Sequence, residues 1–269
     1  MKQKKKLLII GSNSFIGKNL QKNKKINNYK IFLLSKSHNQ INSNCIFYKI
    51  NLKNSKETVN LIKRINPNYI IHLADTKIKD NKNKKKKVQV DNINLMFAQN
   101  IIKASRQLEN LEKIIYVGSC DEYGNNHKTV NEKMVEKPTN FYGKYKLLVT
   151  KKFLDAYKIY KLPVTIIRPS VIYGPGQENS MLIPTMIKAY REKKTLHINS
   201  GSQYRDFLYI DDLVEGLFKI IRIDSKKIIG NIFNFSYGKS YKIEKIVTVF
   251  KKLIKDKFNY TLDVENNLN

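Results

Sequence analysis

From Lys6 to Ser170 the chain repeats one alternation: a short apolar run, then a stretch with helical spacing. "KLLIIG" is followed by "FIGKNLQKN", "YKIFLLS" and "CIFYKINL" by "KETVNLIKRINP", "NYIIHLAD" by "NINLMFAQNIIKASRQLE", and "EKIIYVGS" by "FYGKYKLLVTKKFLDAYKIY". "LPVTIIRPS" closes the series. Parallel strands need long crossovers, normally helices, so this alternation predicts βαβ units on a doubly wound parallel α/β sheet. Ligands of such sheets lie outside the carboxyl ends of the strands. After position 169 the pattern becomes loops, short strands and helices. The expected division is 1–168 with about 205–236 as the nucleotide-binding sheet, and 169–204 with 237–269 as a small lid. The run "KNKKKK", residues 82–87, reads as a solvated loop.

Three clusters at predicted strand ends carry chemistry. In "LLIIGSNSFIGKNL", Gly11 and Gly17 bracket a strand-to-helix turn. Glycine there lets backbone N–H groups approach a pyrophosphate seated on the helix N-terminus. The usual middle glycine is replaced by Ser14. The second strand ends in Ser35, Lys36 and Ser37 rather than in an acid, which leans toward a 2′-phosphate and NADP over NAD. In "VGSCDEYG" an apolar strand breaks at Gly118 into five chemically active residues, Ser119 to Tyr123.

Tyr142 precedes Lys146 by four residues, one helical turn, where an ammonium favours tyrosinate and lowers the phenol pKa. Among 16 Tyr, roughly three such pairs arise by chance, and four occur, starting at Tyr142, Tyr157, Tyr190 and Tyr241. Tyr142 alone opens the helix after the fifth strand. Ser119 can hydrogen-bond the substrate oxygen that Tyr142 protonates or deprotonates, an arrangement suited to hydride chemistry with a nicotinamide.

Composition excludes little beyond this. The net charge of +29 suggests a polyanion partner, but only six of the 51 basic residues are Arg, which nucleic-acid sites favour for bidentate contacts. Nucleic acid is therefore the disfavoured partner. Cys45 and Cys120 have no paired spacing, so no disulfide framework or zinc site is expected. The basic-then-apolar opening "MKQKKKLLII" is too short in its apolar part for a signal peptide, and no run has the length of a membrane span. A cytoplasmic location without membrane partners follows as an expectation.

With these residues in hand, the chain resembles the extended short-chain dehydrogenase/reductases, in the NAD-dependent epimerase/dehydratase branch that modifies nucleotide sugars. "GSNSFIG", "IIHLAD", "NLMFAQNII", "VGSCDEYG", "YGKYK", "IIRPSVIYGPGQ", "LIPTMI", "YRDFLYIDDL" and "NIFNFSYGKSY" stand in the family's order along nearly the whole chain. The resemblance implies a Rossmann-type sheet with a small C-terminal substrate-binding lid, a catalytic set of Ser119, Tyr142 and Lys146, and NAD or NADP. It implies cofactor contacts at Gly11, Ser14, Phe15, Ile16, Gly17, Asn51, Leu52, Ala74 and Asn94. Arg205 matches a substrate-diphosphate arginine, and Asp211 and Asp212 an acidic pair of structural character. Homodimers through helices near 94–108 and 141–160 are common in the family, though the same apolar stripes serve equally to pack helices on the sheet. Cell-surface polysaccharide synthesis is the usual setting.

The dehydratase branch follows its hydroxyl residue with Asp-Glu, whereas Ser119 is followed by Cys120 and Asp121, which argues against a 4,6-dehydratase while leaving Asp121 as a candidate base. Cys120 also stands one position early for an epimerase cysteine and reads as a small core residue. Asp121 is expected in the sugar pocket, with Glu122 and Tyr123 packing the loop. Hydride transfer at sugar C4 remains, with a lean toward a 4-keto-6-deoxy-sugar-nucleotide reductase. The alternatives are a sugar-nucleotide 4-epimerase and a non-catalytic cofactor- or RNA-binding relative. Val171 replaces a frequent Asn of the family. Members usually continue past the point corresponding to Asn269, so a minimal or truncated lid is expected.

Overall fold

The computed structural model describes residues 3–37, 44–76, 84–124, 130–199, 201–254 and 259–263. In chain order the elements are β1 (Lys6–Ile10), α1 (Phe15–Lys22), β2 (Lys30–Ser35), β3 (Cys45–Lys49), α2 (Ser55–Ile65), β4 (Tyr69–His72), α3 (Lys84–Ser105), β5 (Lys113–Val117), α4 (Phe141–Tyr160) and β6 (Val164–Pro169). There follow β7 (Val171–Tyr173), α5 (Leu182–Arg191), β8 (Leu196–Asn199), β9 (Tyr204–Tyr209), α6 (Ile210–Arg222), β10 (Ile232–Phe235), β11 (Ser240–Lys242), α7 (Ile243–Ile254) and β12 (Tyr260–Asp263).

Seven parallel strands form the main sheet in the order β10-β6-β5-β4-β1-β2-β3. The central strands are buried on both faces, which is why they read as unbroken apolar runs. Leu8, Ile10, Ile70 and Ile114 pack with Phe97 and Ile101 of α3 and Val149 and Phe153 of α4 in one core. The intervening Leu7, Ile9, Ile71 and Ile115 are equally buried and point to the other face by strand alternation. Lys113, at the start of β5, is buried with them. Its Nζ donates to the carbonyls of Ile220 (2.7 Å), Ile221 (3.1 Å) and Ile223 (2.7 Å), capping the C-terminus of α6.

From β1 the chain winds outward through β2 and β3, then returns to β4 on the other side of β1. That reversal places a crevice at the carboxyl ends of β1 and β4. Gly11 and Ala74 stand at its two lips, so close that a Cβ on Gly11 would lie 2.5 Å from the Ala74 amide nitrogen. Gly11 also has φ +87°, a left-handed conformation that a side chain would strain.

Two compact units emerge. The first runs to Pro169 and resumes over Asp211–Phe235; the second takes Ser170–Ile210 and the part after Ser236. Arg205 thus falls in the second unit. There β7, β9 and β11 form a small sheet, and β8 pairs with β12. Met186, Ala189, Leu196, Ile198, Ile243 and Val247 form the core of that unit.

The basic run departs from the loop reading. Lys84–Lys87 belong to the first turn of α3, while Lys82 and Asn83 lie outside the described residues. Lysine is a good helix former, and with no apolar residue among the four there was no periodicity to reveal the helix.

Candidate active site

At the β1–α1 turn, Ser14 caps the helix. Its Oγ accepts from the Gly17 N–H at 3.1 Å, and its own N–H donates to the Gly11 carbonyl at 3.0 Å. A Cβ on Gly17 would lie 2.6 Å from the Ser12 carbonyl oxygen, so only glycine lets the helix start this close to the strand. The amides of Phe15 and Ile16 head the helix, where no intrahelical acceptor reaches them. Ser14, in the middle position of the turn, caps the helix start that the two glycines bracket.

The residues expected on the adenosine side lie at the end of β2 and in the turn after β3. Asn13 Nδ2 donates to the carbonyl of Ser37 at 2.6 Å and to its Oγ at 3.0 Å, tying the glycine loop to the end of β2. Ser35 is half-buried and Lys36 exposed. Asn51 is exposed, its Oδ1 accepting from the Lys53 N–H at 3.2 Å. Leu52 is buried, and its carbonyl accepts from Asn100 of α3 at 2.8 Å. Asn94, also on α3, clamps the backbone after β4: its Oδ1 accepts from Thr76 N–H at 2.7 Å and its Nδ2 donates to Thr76 O at 3.2 Å.

The third cluster forms where β5 ends. Ser119 caps a single 3-10 turn over Cys120–Tyr123, with Oγ accepting from the Asp121 N–H at 3.1 Å. The hydroxyl proton is left for a second oxygen. Glu122 closes the capping box, its Oε1 accepting from the Ser119 N–H at 2.9 Å and from Thr150 Oγ1 at 3.1 Å. Its Oε2 lies 2.7 Å from Nη2 of the fully buried Arg168, which also reaches Glu136 at 2.8 Å. Glu122 is therefore half of a buried ion pair rather than loop packing. Cys120 is half-buried at the start of the turn, not a core residue.

Asn140 joins this turn to α4. Its Oδ1 accepts from the Gly143 N–H at 2.7 Å and caps the helix, while its Nδ2 donates to Asp121 Oδ2 at 3.2 Å. Tyr142, in the first turn, is partly exposed and meets Tyr145 edge-on at 5.2 Å. Lys146 is buried, with Nζ 5.7 Å from the Tyr142 ring centre. That ammonium donates to the Val117 carbonyl at 3.0 Å and lies 3.3 Å from Asp75 Oδ2. Asp75 also accepts from Tyr145 Oη at 3.1 Å. Asp75 carries no mark in the sequence beyond being an acid three residues past the end of the buried strand β4.

The electrostatics differ from the sequence expectation. Burial of the Tyr142 phenol, followed by the charges of Asp75 and Asp121, raises its pKa well above the ordinary tyrosine value. The net shift is upward despite the neighbouring Lys146 ammonium, because burial and the surrounding acids prevail. Burial by itself lowers the Lys146 pKa, but Tyr116, Asp75 and Glu122 outweigh it, and the ammonium is held charged. In the second unit, Arg205 is exposed, donating to the Tyr204 carbonyl at 2.8 Å and to Gln203 Oε1 at 3.0 Å. Asp211 and Asp212 are exposed in the first turn of α6, where they complement the helix dipole.

The NAD dependent epimerase/dehydratase family matches over residues 7–235. The dTDP-D-glucose 4,6-dehydratase of Dictyostelium discoideum is 32% identical over 275 residues, covering 93% of the chain and 61% of that protein. The GDP-6-deoxy-D-talose 4-dehydrogenase of Aggregatibacter actinomycetemcomitans is 25% identical, covering 90% and 77%. Against human dTDP-D-glucose 4,6-dehydratase the match spans about half (48%) of the relative. Among solved structures, the UDP-glucuronic acid 4-epimerase of Bacillus cereus, in complex with UDP-glucuronic acid and NAD, superposes with a TM-score of 0.86. That match, at 24% identity over 96% of the chain and 85% of the epimerase, shows the shared fold. No described helix is long and apolar enough to cross a membrane.

Proposed function

Because the chain belongs to the NAD dependent epimerase/dehydratase family, we propose that it oxidises or reduces a nucleotide-linked sugar at C4, with Tyr142 as the group that moves the proton. One observation carries the reading: Ser119, Tyr142 and Lys146 converge at the carboxyl end of β5, the last two on one face of α4. NAD, when bound, supplies the acceptor or donor for the hydrogen on C4. The glycine turn suits its pyrophosphate: Gly11 and Gly17 let strand, turn and helix pack so closely that any Cβ would strike backbone, and the amides of Phe15 and Ile16 stand free at the helix start. Ser14 shapes that turn. Ser35, Lys36, Asn51 and Leu52 bound the adenosine side. The relatives favour NAD, whereas Ser35 and Lys36 keep a lean toward NADP that cofactor titration decides.

Tyr142 Oη takes the C4 hydroxyl proton in one direction and returns it in the other. Ser119 Oγ donates a hydrogen bond to the same oxygen and fixes its position. Lys146 has three donors; Val117 O and Asp75 take two, and the third is available for a cofactor ribose hydroxyl. Asn94 holds the backbone behind this point. Asp121, in the turn that Ser119 caps, stands on the sugar side of the proposed site. Arg205, in the second unit, has the guanidinium geometry that suits a diphosphate.

Elimination of water needs a further acid and base. Glu122 cannot be one of them while buried against Arg168, and Cys120 occupies the first position of the turn. That favours plain oxidoreduction or 4-epimerisation over dehydration, with a 4-ketoreductase preferred. The 25% identical GDP-6-deoxy-D-talose 4-dehydrogenase supports that direction. The test is fluorescence titration with NADH and NADPH, then addition of sugar nucleotides and their 4-keto-6-deoxy forms. Stoichiometric cofactor oxidation by a keto sugar marks a reductase; isomerisation without net oxidation marks an epimerase. Tyr142→Phe should abolish turnover and spare cofactor binding, and full activity in that variant refutes the mechanism.

A further inference from the structure

We propose that Asp75 is a positioning residue of this site: its carboxylate binds Lys146 and Tyr145 into one unit beside Tyr142 and sets a negative charge against that of Lys146 there. The inference rests on the proposed role of Tyr142, but its evidence lies in the geometry of this chain.

Asp75 is set between two immobilised neighbours. On one side Ala74 abuts Gly11, and the Leu73 N–H donates to the Ile10 carbonyl at 2.8 Å. On the other, both backbone polar groups of Thr76 are held by Asn94. The carboxylate leaves this fixed backbone toward α4, where Oδ2 meets Tyr145 Oη at 3.1 Å and Lys146 Nζ at 3.3 Å. Its side chain is 19% exposed and that of Lys146 6%, so water screens the pair weakly. Tyr145 and Lys146 lie three and four residues after Tyr142, so one acid holds both residues that flank the phenol one turn on.

An unopposed ammonium at Lys146 would favour the phenolate of Tyr142. Asp75 brings a negative charge to the same place and disfavours it. The other groups facing Tyr142 are Cys120, Asp121 and Glu122 from the turn after β5, Tyr116 from β5, and Tyr145 and Lys146 from its own helix. Asp75 is the first of the charges that raise the phenol pKa. A merely structural Asp75 would tie β4 to α4 and leave that proton unaffected.

The test compares wild type, Asp75→Asn and Tyr145→Phe, each with and without Tyr142→Phe, by phenolate absorbance during alkaline titration without cofactor or substrate. The Tyr142→Phe difference isolates one phenol. In Asp75→Asn the Tyr142 midpoint should fall by about one pH unit or more, giving at least tenfold more phenolate at a pH below both midpoints. Tyr145→Phe, which keeps the Lys146 pair, should leave the midpoint in place. Asp75→Ser repeats the measurement should the Asn variant not fold. An unchanged midpoint in a folded Asp75 variant overturns the proposal. With a responsive sugar nucleotide, the alkaline rise of kcat for oxidation should shift to lower pH by the same amount. A wild type that turns over no sugar nucleotide would overturn the functional reading, while the substrate-free titration would still decide the role of Asp75.

Discussion

Arg168→Met isolates what the buried Glu122–Arg168 pair contributes. Both side chains are fully buried, and Glu122 also holds Ser119 and Thr150. Burial raises the Glu122 pKa and Arg168 opposes that rise. Without the guanidinium, Glu122 is left as a lone buried carboxylate or must take up a proton. Breaking such a pair on one side costs about 3–5 kcal/mol, a fall of roughly 6–20 °C in Tm for a unit of this size. Most of that cost is the orphaned charge. Glu122→Gln in the same chain should therefore restore more than half of it, since the amide oxygen still accepts from Ser119 N–H and Thr150. The pH dependence has a definite sign. A carboxyl whose folded pKa is raised binds more protons folded than unfolded, so lowering the pH toward the unfolded value stabilises the folded state. The deficit of Arg168→Met should accordingly shrink between pH 7 and pH 5. Urea denaturation of the single and double variants measures it. A double variant no more stable than the single one refutes the reasoning and assigns the cost to the lost packing of Arg168 on Tyr123.

Two further outcomes can be checked by the same denaturation. Lys113→Met leaves three carbonyls at the end of α6 without their donor and should cost about 3 kcal/mol, with kcat and cofactor affinity unchanged. His72 is buried between Tyr116 and Phe153, and burial pushes its pKa down to about 3. The unfolded imidazole protonates near pH 6.5 while the folded one does not, so stability present above that pH is lost below it. The loss should be about 2 kcal/mol between pH 7.5 and 5. His72→Phe should remove this slope, and an unchanged slope would show that another group causes it.

What the sequence revealed depended on how local each feature is. α4 spans Phe141–Tyr160 as read, because its cap, its apolar spacing and Pro163 all lie within or beside the segment. α3 begins at Lys84 rather than Asn92, since its first two turns hold four lysines and only Val88 and Val90 as apolar residues, a spacing of two that is no helical period. The glycine turn was legible because its chemistry lies within seven residues, Gly11 to Gly17. Asp75 was not: its partner Tyr145 is 70 positions away, and only the pairing of β4 with β5 brings the two ends together. The Glu122–Arg168 pair is hidden for the same reason, 46 positions apart. The lowered Tyr142 pKa failed as an expectation because a helical i, i+4 pair shows the lysine and conceals both the burial of the phenol and the carboxylate of Asp75.

The raised Tyr142 pKa gives the two directions of the proposed reaction different pH dependences. A phenol held well above its ordinary pKa keeps its proton at neutral pH. It is then ready to protonate a keto oxygen and poorly ready to deprotonate a hydroxyl. Reduction of a 4-keto sugar should therefore run at a kcat nearly independent of pH from 6 to 9. Oxidation of the corresponding alcohol needs the phenolate, so its kcat should rise about tenfold per pH unit over the same range. Steady-state rates in both directions, at saturating cofactor and sugar, measure this directly. An oxidation rate flat across that range would mean that Tyr142 is already ionised at pH 6, with Lys146 prevailing over Asp75. A parallel rise in both directions would place the pH-dependent group elsewhere than on Tyr142.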